Sequence, residues 1–339
     1  MAVDIQATRD VIDVITGGWR AQALYTAVKL DLPDHVEAGR DTDPELARAT
    51  GADERGVHRL MRLLVAMGVF EGDGTTGYRN TPVSTALLAG PQSLHDMCLL
   101  YGEEFYAAWG HAHHAVSTAS SGFEAAYGLP FYDHLGQDPA LARRFQHTMN
   151  AGSMFFHQVP EVFDFSGRTV VDVGGGGGHL LATILAATPD AGGVLFDREH
   201  MMLKAREHLV AAVGPERVRL VGGDMFEGVP EGGDVYILCR VLAGWDDDAV
   251  VGVFENCRRA MADPSARLLV IDRFVADKDS TVLPALWDLH LLVTTGGAHR
   301  TLDRVTSLLD RAGLDIVRTA ELPMETTALV AEPRPSSQP

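Results

Sequence analysis

Thr169-Val-Val-Asp-Val-Gly-Gly-Gly-Gly-Gly-His179 decides the fold. Its β-branched run predicts a buried strand that ends in an acid, and five glycines then form a turn before a helical pattern begins. Bare backbone in that turn lets a ligand approach closely. The spacing separates cofactor types: a dinucleotide fingerprint needs a third glycine three residues after the second, so that helix and strand can pack. Counting from Gly174, Gly175 or Gly176, that place holds His179, Leu180 or Leu181. A nucleotide-triphosphate loop fails too, because no Gly-Lys-Ser/Thr follows.

Downstream of this turn, short apolar runs alternate with longer helical patterns. Strands are predicted at Thr169 to Val173, Gly193 to Asp197, Val218 to Val221, Asp234 to Cys239, Arg267 to Asp272, Asp315 to Thr319 and Thr327 to Ala331. Helices are predicted at His179 to Ala187, Arg198 to Val213, Asp247 to Ala262 and Leu302 to Ala312. Strict alternation means βαβ units and a parallel sheet covered on both faces, an α/β fold. The last two strands have no room between them for a crossover helix and are expected as an antiparallel pair at one sheet edge.

The first 90 residues read differently. Pro44 to Gly51 and Asp53 to Met67 are short helices, and Val69 to Asn80 is a hairpin with a glycine-rich tip, together a helix-helix-wing arrangement. Nine Lys/Arg against thirteen Asp/Glu in this stretch argue against a DNA-reading face. The chain as a whole carries a formal charge of −18, which repels nucleic acid and anionic membrane. The better reading of the helical start is a module that buries Trp19 to Val28 against a second subunit. Three distant cysteines, Cys98, Cys239 and Cys257, suit a reducing compartment, and no secretory pattern or membrane-spanning run is read, so a cytoplasmic protein without a metal site is expected. His111, His113 and His114 crowd one helix, but no acid or cysteine stands close by to complete a metal set.

Ligands of an open α/β sheet sit beyond the carboxyl ends of its strands. The residues predicted there are Asp172, Gly174 and Gly176, then Asp197, then Asp224-Met225-Phe226, then Cys239. Asp197 is placed to accept ribose hydroxyls, and Asp224 an exocyclic adenine amine, with Met225 and Phe226 flanking the ring. An adenosine-containing cofactor follows.

At this point the sequence resembles the small-molecule O-methyltransferases that use S-adenosylmethionine, a family of plant phenolic and bacterial antibiotic-tailoring enzymes. The resemblance rests on Val170 to Gly178, Phe196-Asp197, Gly223-Asp-Met-Phe226, Trp245-Asp-Asp-Asp248 and Gly296-Gly-Ala-His-Arg-Thr301. It implies a class I methyltransferase Rossmann-like sheet with an amino-terminal winged-helix dimerisation domain, and a homodimer acting on a small aromatic acceptor. The chain then divides into a dimerisation domain over 1–95, a helical linker and acceptor-pocket region over 96–165, and a cofactor-binding domain over 166–335. Phe145, Met149 and Met154, taken as one helix, are expected to line the acceptor pocket with Trp245 and Trp287.

The chain also departs from that family. Most of its members carry His-Asp before the tryptophan, the His being the general base, whereas here Ala243 and Gly244 stand there. Cys239 occupies the position of a cofactor-contacting lysine, His299 that of a glutamate, and Asp272 that of the base's supporting acid. His299 and His290 are candidate substitute bases, since imidazole titrates near neutral pH. The expected activity is methylation, most often on oxygen, of an aromatic or polyketide-type natural product, driven by placement. Some anthracycline-tailoring relatives lack the same His, and they include both methyltransferases and enzymes that hydroxylate or decarboxylate with S-adenosylmethionine only bound; a tailoring enzyme of that hydroxylase, decarboxylase or cyclase type is the alternative, and a ligand-sensing winged-helix regulator is the third.

Overall fold

The structure, a computed structural model, describes residues 4–90 and 93–335, so Met1 to Val3 of the start read for a leader lie outside it. The chain divides into two compact units. One comprises the residues up to His113 together with Gly122–Gly152; the other comprises His114–Ser121 and everything from Ser153.

In the first unit a long helix, Ile5–Lys29, is capped by Asp4, whose side chain accepts from the Gln6 and Ala7 amides. The two predicted helices form at Asp43–Thr50 and Glu54–Ala66. Glu45 reaches back to accept from the Thr42 amide and hydroxyl, Gly51 closes the first helix in the left-handed region, and Asp53 caps the second. Val57, Met61 and Leu64 bury one stripe of the second helix. The wing is β1 (Phe70–Asp73) paired antiparallel with β2 (Gly77–Asn80), and its Tyr78 hydroxyl donates to buried Asp43 at 2.9 Å. Ile5, Val11, Ile12, Val14, Ile15 and Trp19 leave a broad apolar stripe of the first helix exposed.

The second unit is built on strands β3 (Thr169–Val173), β4 (Gly192–Asp197), β5 (Val218–Gly222), β6 (Val235–Cys239), β7 (Arg267–Asp272), β8 (Leu314–Leu322) and β9 (Thr326–Pro333). Among the described residues these form one sheet in the order β5-β4-β3-β6-β7-β9-β8. β3 to β7 run parallel, as the alternation predicts. The closing hairpin is antiparallel as expected, but β9 lies inside the sheet between β7 and β8, leaving only β8 at the edge. Period-2 side-chain alternation explains the two cores. Val171 and Val173 face Phe254 and Leu308 on one side, while Val170 faces Leu181 and Leu185 on the other. Among the described residues no helix is long and apolar enough to cross a membrane, and no three or more His, Cys, Asp or Glu are placed to hold a metal ion.

Candidate active site

The chain runs outward from β3 through β4 to β5, and the other way from β6 through β7, so the strand order reverses between β3 and β6. Such a switch point is where an open α/β sheet leaves a crevice for a ligand. In-register pairing sets Val173 beside both Phe196 and Leu238, and Asp197 beside Gly222, so the strand ends form one row.

The glycine turn opens from β3. Gly174 has φ +72° and donates its amide to the Phe196 carbonyl at 2.8 Å; a Cβ there would stand 2.8 Å from the Val241 side chain. Gly176 has φ +56°, and nothing lies within 4 Å of where its Cβ would be, so this side of the turn is open. Beneath it Asp172 is buried, with one carboxylate oxygen, Oδ2, lacking a hydrogen-bond partner. Burial pushes this carboxyl up to about 7, and the charge of Asp197 adds to the effect. An orphaned acid under an open, side-chain-free turn fits a ligand that brings ammonium or hydroxyl donors.

Asp197, at the end of β4, accepts from Gly176 N–H at 2.8 Å and from Arg198 N–H at 2.7 Å. Each oxygen thus spends one lone pair on the fold and keeps one for a ligand hydroxyl. Asp224 makes an Asx turn, accepting from Phe226 N–H at 3.0 Å, which aims Met225 and Phe226 onto the core edge. The Met225 carbonyl is fixed by buried Asn256 at 2.7 Å, a support that nothing in the sequence pattern marks. Trp245, read as an acceptor contact, stands edge-on to Phe226 with ring centroids 4.7 Å apart. Cys239 ends β6; desolvation pushes its thiol up to about 12, so it is an uncharged neighbour of the crevice.

Past β6 the candidate bases separate. Asp272 is buried and His299 partly buried; Nδ1 and Oδ1 are 4.0 Å apart, and the two line a cleft with Ala243 and Arg300. Burial pushes Asp272 up to about 6 and His299 down to about 4, the nearby Arg273 charge adding to the latter. His290 instead lies on the Val282–Thr295 helix with its ring edge-on to Trp287, and burial pushes it down to about 4. Trp287 also carries the Arg273 guanidinium 4.9 Å above its ring.

Arg300, quoted in the sequence motif but given no role there, clamps this corner. It donates to Asp247 at 2.7 Å, to the Leu242 carbonyl at 2.8 Å and to the Trp245 carbonyl. Its three bonds bracket Ala243 and Gly244. Gly297 permits the approach, since a Cβ there would stand 3.3 Å from the Ala243 carbonyl. His299 is held from below, its amide donating to Asp288 at 2.7 Å.

The helix expected through Phe145 and Met154 breaks at Gly152-Ser153, because its last carbonyls are closed by the Gly152 amide and a separate turn starts at Met154. Phe145 and Met149 belong to the Pro139–Ala151 helix of the first unit, where Phe145 stands edge-on to Phe131 at 5.1 Å. Met154 is exposed in the second unit. The 96–165 stretch is likewise shared between the two units.

Comparison with known proteins gives the family. The O-methyltransferase dimerisation domain matches residues 12–90, and the O-methyltransferase domain matches residues 109–315. Phenazine-1-carboxylate N-methyltransferase of Pseudomonas aeruginosa is 44% identical over 97% of this chain and 98% of its own. 3-Amino-4-hydroxybenzoate 4-O-methyltransferase of Streptomyces cremeus is 40% identical over 96% of this chain and 90% of its own. The solved structure of the pyocyanin biosynthetic protein PhzM matches with a TM-score of 0.91 at 44% identity, covering 97% of this chain and 100% of that one. The chain belongs to the O-methyltransferase family: it is an S-adenosylmethionine-dependent methyltransferase that carries the family's dimerisation domain.

Proposed function

We propose that this methyltransferase acts in the cytoplasm on a planar aromatic acid of secondary metabolism, placing a methyl group on a hydroxyl or on a nitrogen. The substrate class is taken from the two relatives above, whose names specify an aromatic carboxylate with a nitrogen or an ortho-amino hydroxyl as acceptor. One observation carries the chemistry: the partly buried His299 and buried Asp272 stand side by side where Ala243 leaves the clamped loop without a base.

S-adenosylmethionine, when bound, supplies an electrophilic methyl on a sulfonium. Asp172, Gly174, Gly176 and Asp197 would hold its amino-acid and ribose groups, with Asp224, Met225, Phe226 and Cys239 around the rest. Trp245 and Trp287 offer aromatic faces for a flat acceptor. Placement is the larger factor, because orienting two reactants gives effective molarities of about 10⁵ to 10⁸ M, against about 10² to 10⁴ for a positioned base.

Where the acceptor carries a proton, His299 takes it. Its low pKa leaves the imidazole neutral at pH 7. Nδ1 faces Asp272, so Nε2 is the nitrogen that accepts, and the imidazolium formed stands beside the Asp272 carboxylate. A ring nitrogen with a free lone pair needs no such step.

The test is mass spectrometry of purified protein with methyl-deuterated S-adenosylmethionine and a panel containing phenazine-1-carboxylate and 3-amino-4-hydroxybenzoate. Labelled product, stoichiometric with S-adenosylhomocysteine, is expected. The Ala243-Gly244 loop also motivates a tailoring enzyme that binds the cofactor without transferring methyl. Unlabelled product without S-adenosylhomocysteine would establish that reading and overturn ours.

A further inference from the structure

Arg240 follows β6 at the switch point with φ +55°, a left-handed conformation that L side chains other than Asn and Asp rarely adopt. Strain of this kind persists where surrounding structure over-determines it, most often at functional sites. Here the backbone is held by the Arg240 amide donating to the Ile271 carbonyl at 2.9 Å. The side chain is held too. Its guanidinium donates to Ser153 Oγ at 2.7 Å and stands 5.4 Å and 5.7 Å from the Phe155 and Phe156 ring centroids. The next residue, Val241, is the one that a Cβ on Gly174 would strike. A cation is thus fixed at the end of β6, hydrogen-bonded to Cys239 and within electrostatic reach of Asp272, next in sequence to the residue that packs on the glycine turn.

The sheet supplies a ruler. Adjacent strands are about 4.8 Å apart, so the ends of β5 and β6, three steps apart, are separated by about 14 Å. With adenine at Asp224 beyond β5 and ribose at Asp197 beyond β4, as proposed above, the amino-acid end of the cofactor crosses β3 and arrives at β6. Asp172, under β3's turn, meets its ammonium. We infer that Arg240 binds the methionyl carboxylate of S-adenosylmethionine, with Ser153 and the two phenylalanines holding the guanidinium in position for it. Guanidinium suits this task because its planar donors match a carboxylate. The fixed geometry also accounts for the tolerated strain. Cys239 is uncharged, so Arg240 supplies the positive charge at this strand end.

The inference rests on the cofactor placement above, and calorimetry with two ligands keeps the two apart. S-adenosylhomocysteine carries the amino-acid end, whereas 5′-methylthioadenosine lacks it. Arg240→Gln is expected to weaken S-adenosylhomocysteine about ten- to a hundredfold, as loss of a charge-assisted contact does, and to leave methylthioadenosine unchanged. Arg240→Lys should recover much of the loss. Retained methylthioadenosine binding shows that the variant is folded. If Arg240→Gln does not fold, Ser153→Ala gives the same reading at smaller amplitude. Equal weakening of both ligands would mean a structural role and overturn the assignment, as would unchanged S-adenosylhomocysteine affinity accompanied by a raised acceptor KM. A wild-type protein that binds neither ligand would instead overturn the cofactor placement itself.

Discussion

Asp172 allows a sharp test of how function loads this fold. Its carboxyl, ordinarily near 3.8, is pushed up to about 7 by burial, and its Oδ2 has no partner. Between pH 4 and 7 the folded state holds a proton that the unfolded chain has lost, so stability falls as pH rises through that window and the full penalty is present above about 7. At 1.36 kcal/mol per unit, the cofactor-free protein carries on the order of 4 kcal/mol of strain at pH 8. Asp172→Asn removes the charge but keeps an unpaired buried polar group, which costs about 1–3 kcal/mol. The variant should therefore be more stable than wild type by about 1–3 kcal/mol at pH 8, and gain nothing at pH 4, close to the ordinary value, where the folded wild type is protonated and little of the penalty is left. Urea denaturation at the two pH values measures this. Calorimetry should show weakened S-adenosylhomocysteine binding in the same variant, the trade expected of a strained site. A variant equally destabilised at both pH values would refute the reasoning, because it would mean the carboxylate is stabilised in place.

Three further outcomes follow from the geometry. Arg300→Ala removes the bonds that bracket Ala243 and Gly244, and should cost about 3 kcal/mol in denaturation while raising acceptor KM and leaving S-adenosylhomocysteine affinity within about twofold. For an acceptor that loses a proton, kcat/KM should be flat above about pH 7 and fall as Asp272 protonates near 6, and His299→Gln should lower the plateau and remove that limb. Val14→Asp combined with Trp19→Asp places charge on the exposed stripe of the first helix and should yield monomers in sedimentation; an intact dimer would move the interface elsewhere.

The sequence was most readable where local physics acts alone. Runs rich in valine, isoleucine and leucine at Val170 to Val173 and Leu268 to Ile271 lie on strands buried on both faces, so neither neighbour nor solvent competes with their propensity. The caps at Asp53 and Gly51 likewise announced their helices. The Val282–Thr295 helix was harder to see, because it is apolar nearly throughout and shows no periodicity. The place of β9 inside the sheet depends on pairing with a strand far away in sequence, which no local pattern encodes. At the site, the row of Asp172, Asp197 and Asp224 was legible because strand ends collect in one plane. Arg240, Asn256 and Arg300 were not, since their importance comes from a left-handed backbone or from carbonyls that only the folded chain brings near.

The interior position of β9 has a consequence for how the enzyme is made. It pairs with β7 along its length, setting Thr327 opposite Asp272, and with β8 on its other side. A ribosome delivers β7 well before β9. Until the closing hairpin emerges, the nascent chain presents the apolar row Leu268 to Ile271 as an open sheet edge, a template for pairing with neighbouring chains. The corner that carries Asp272 is thus assembled late in synthesis, and a chain stopped after β8 would meet the cell's quality control with that edge bare.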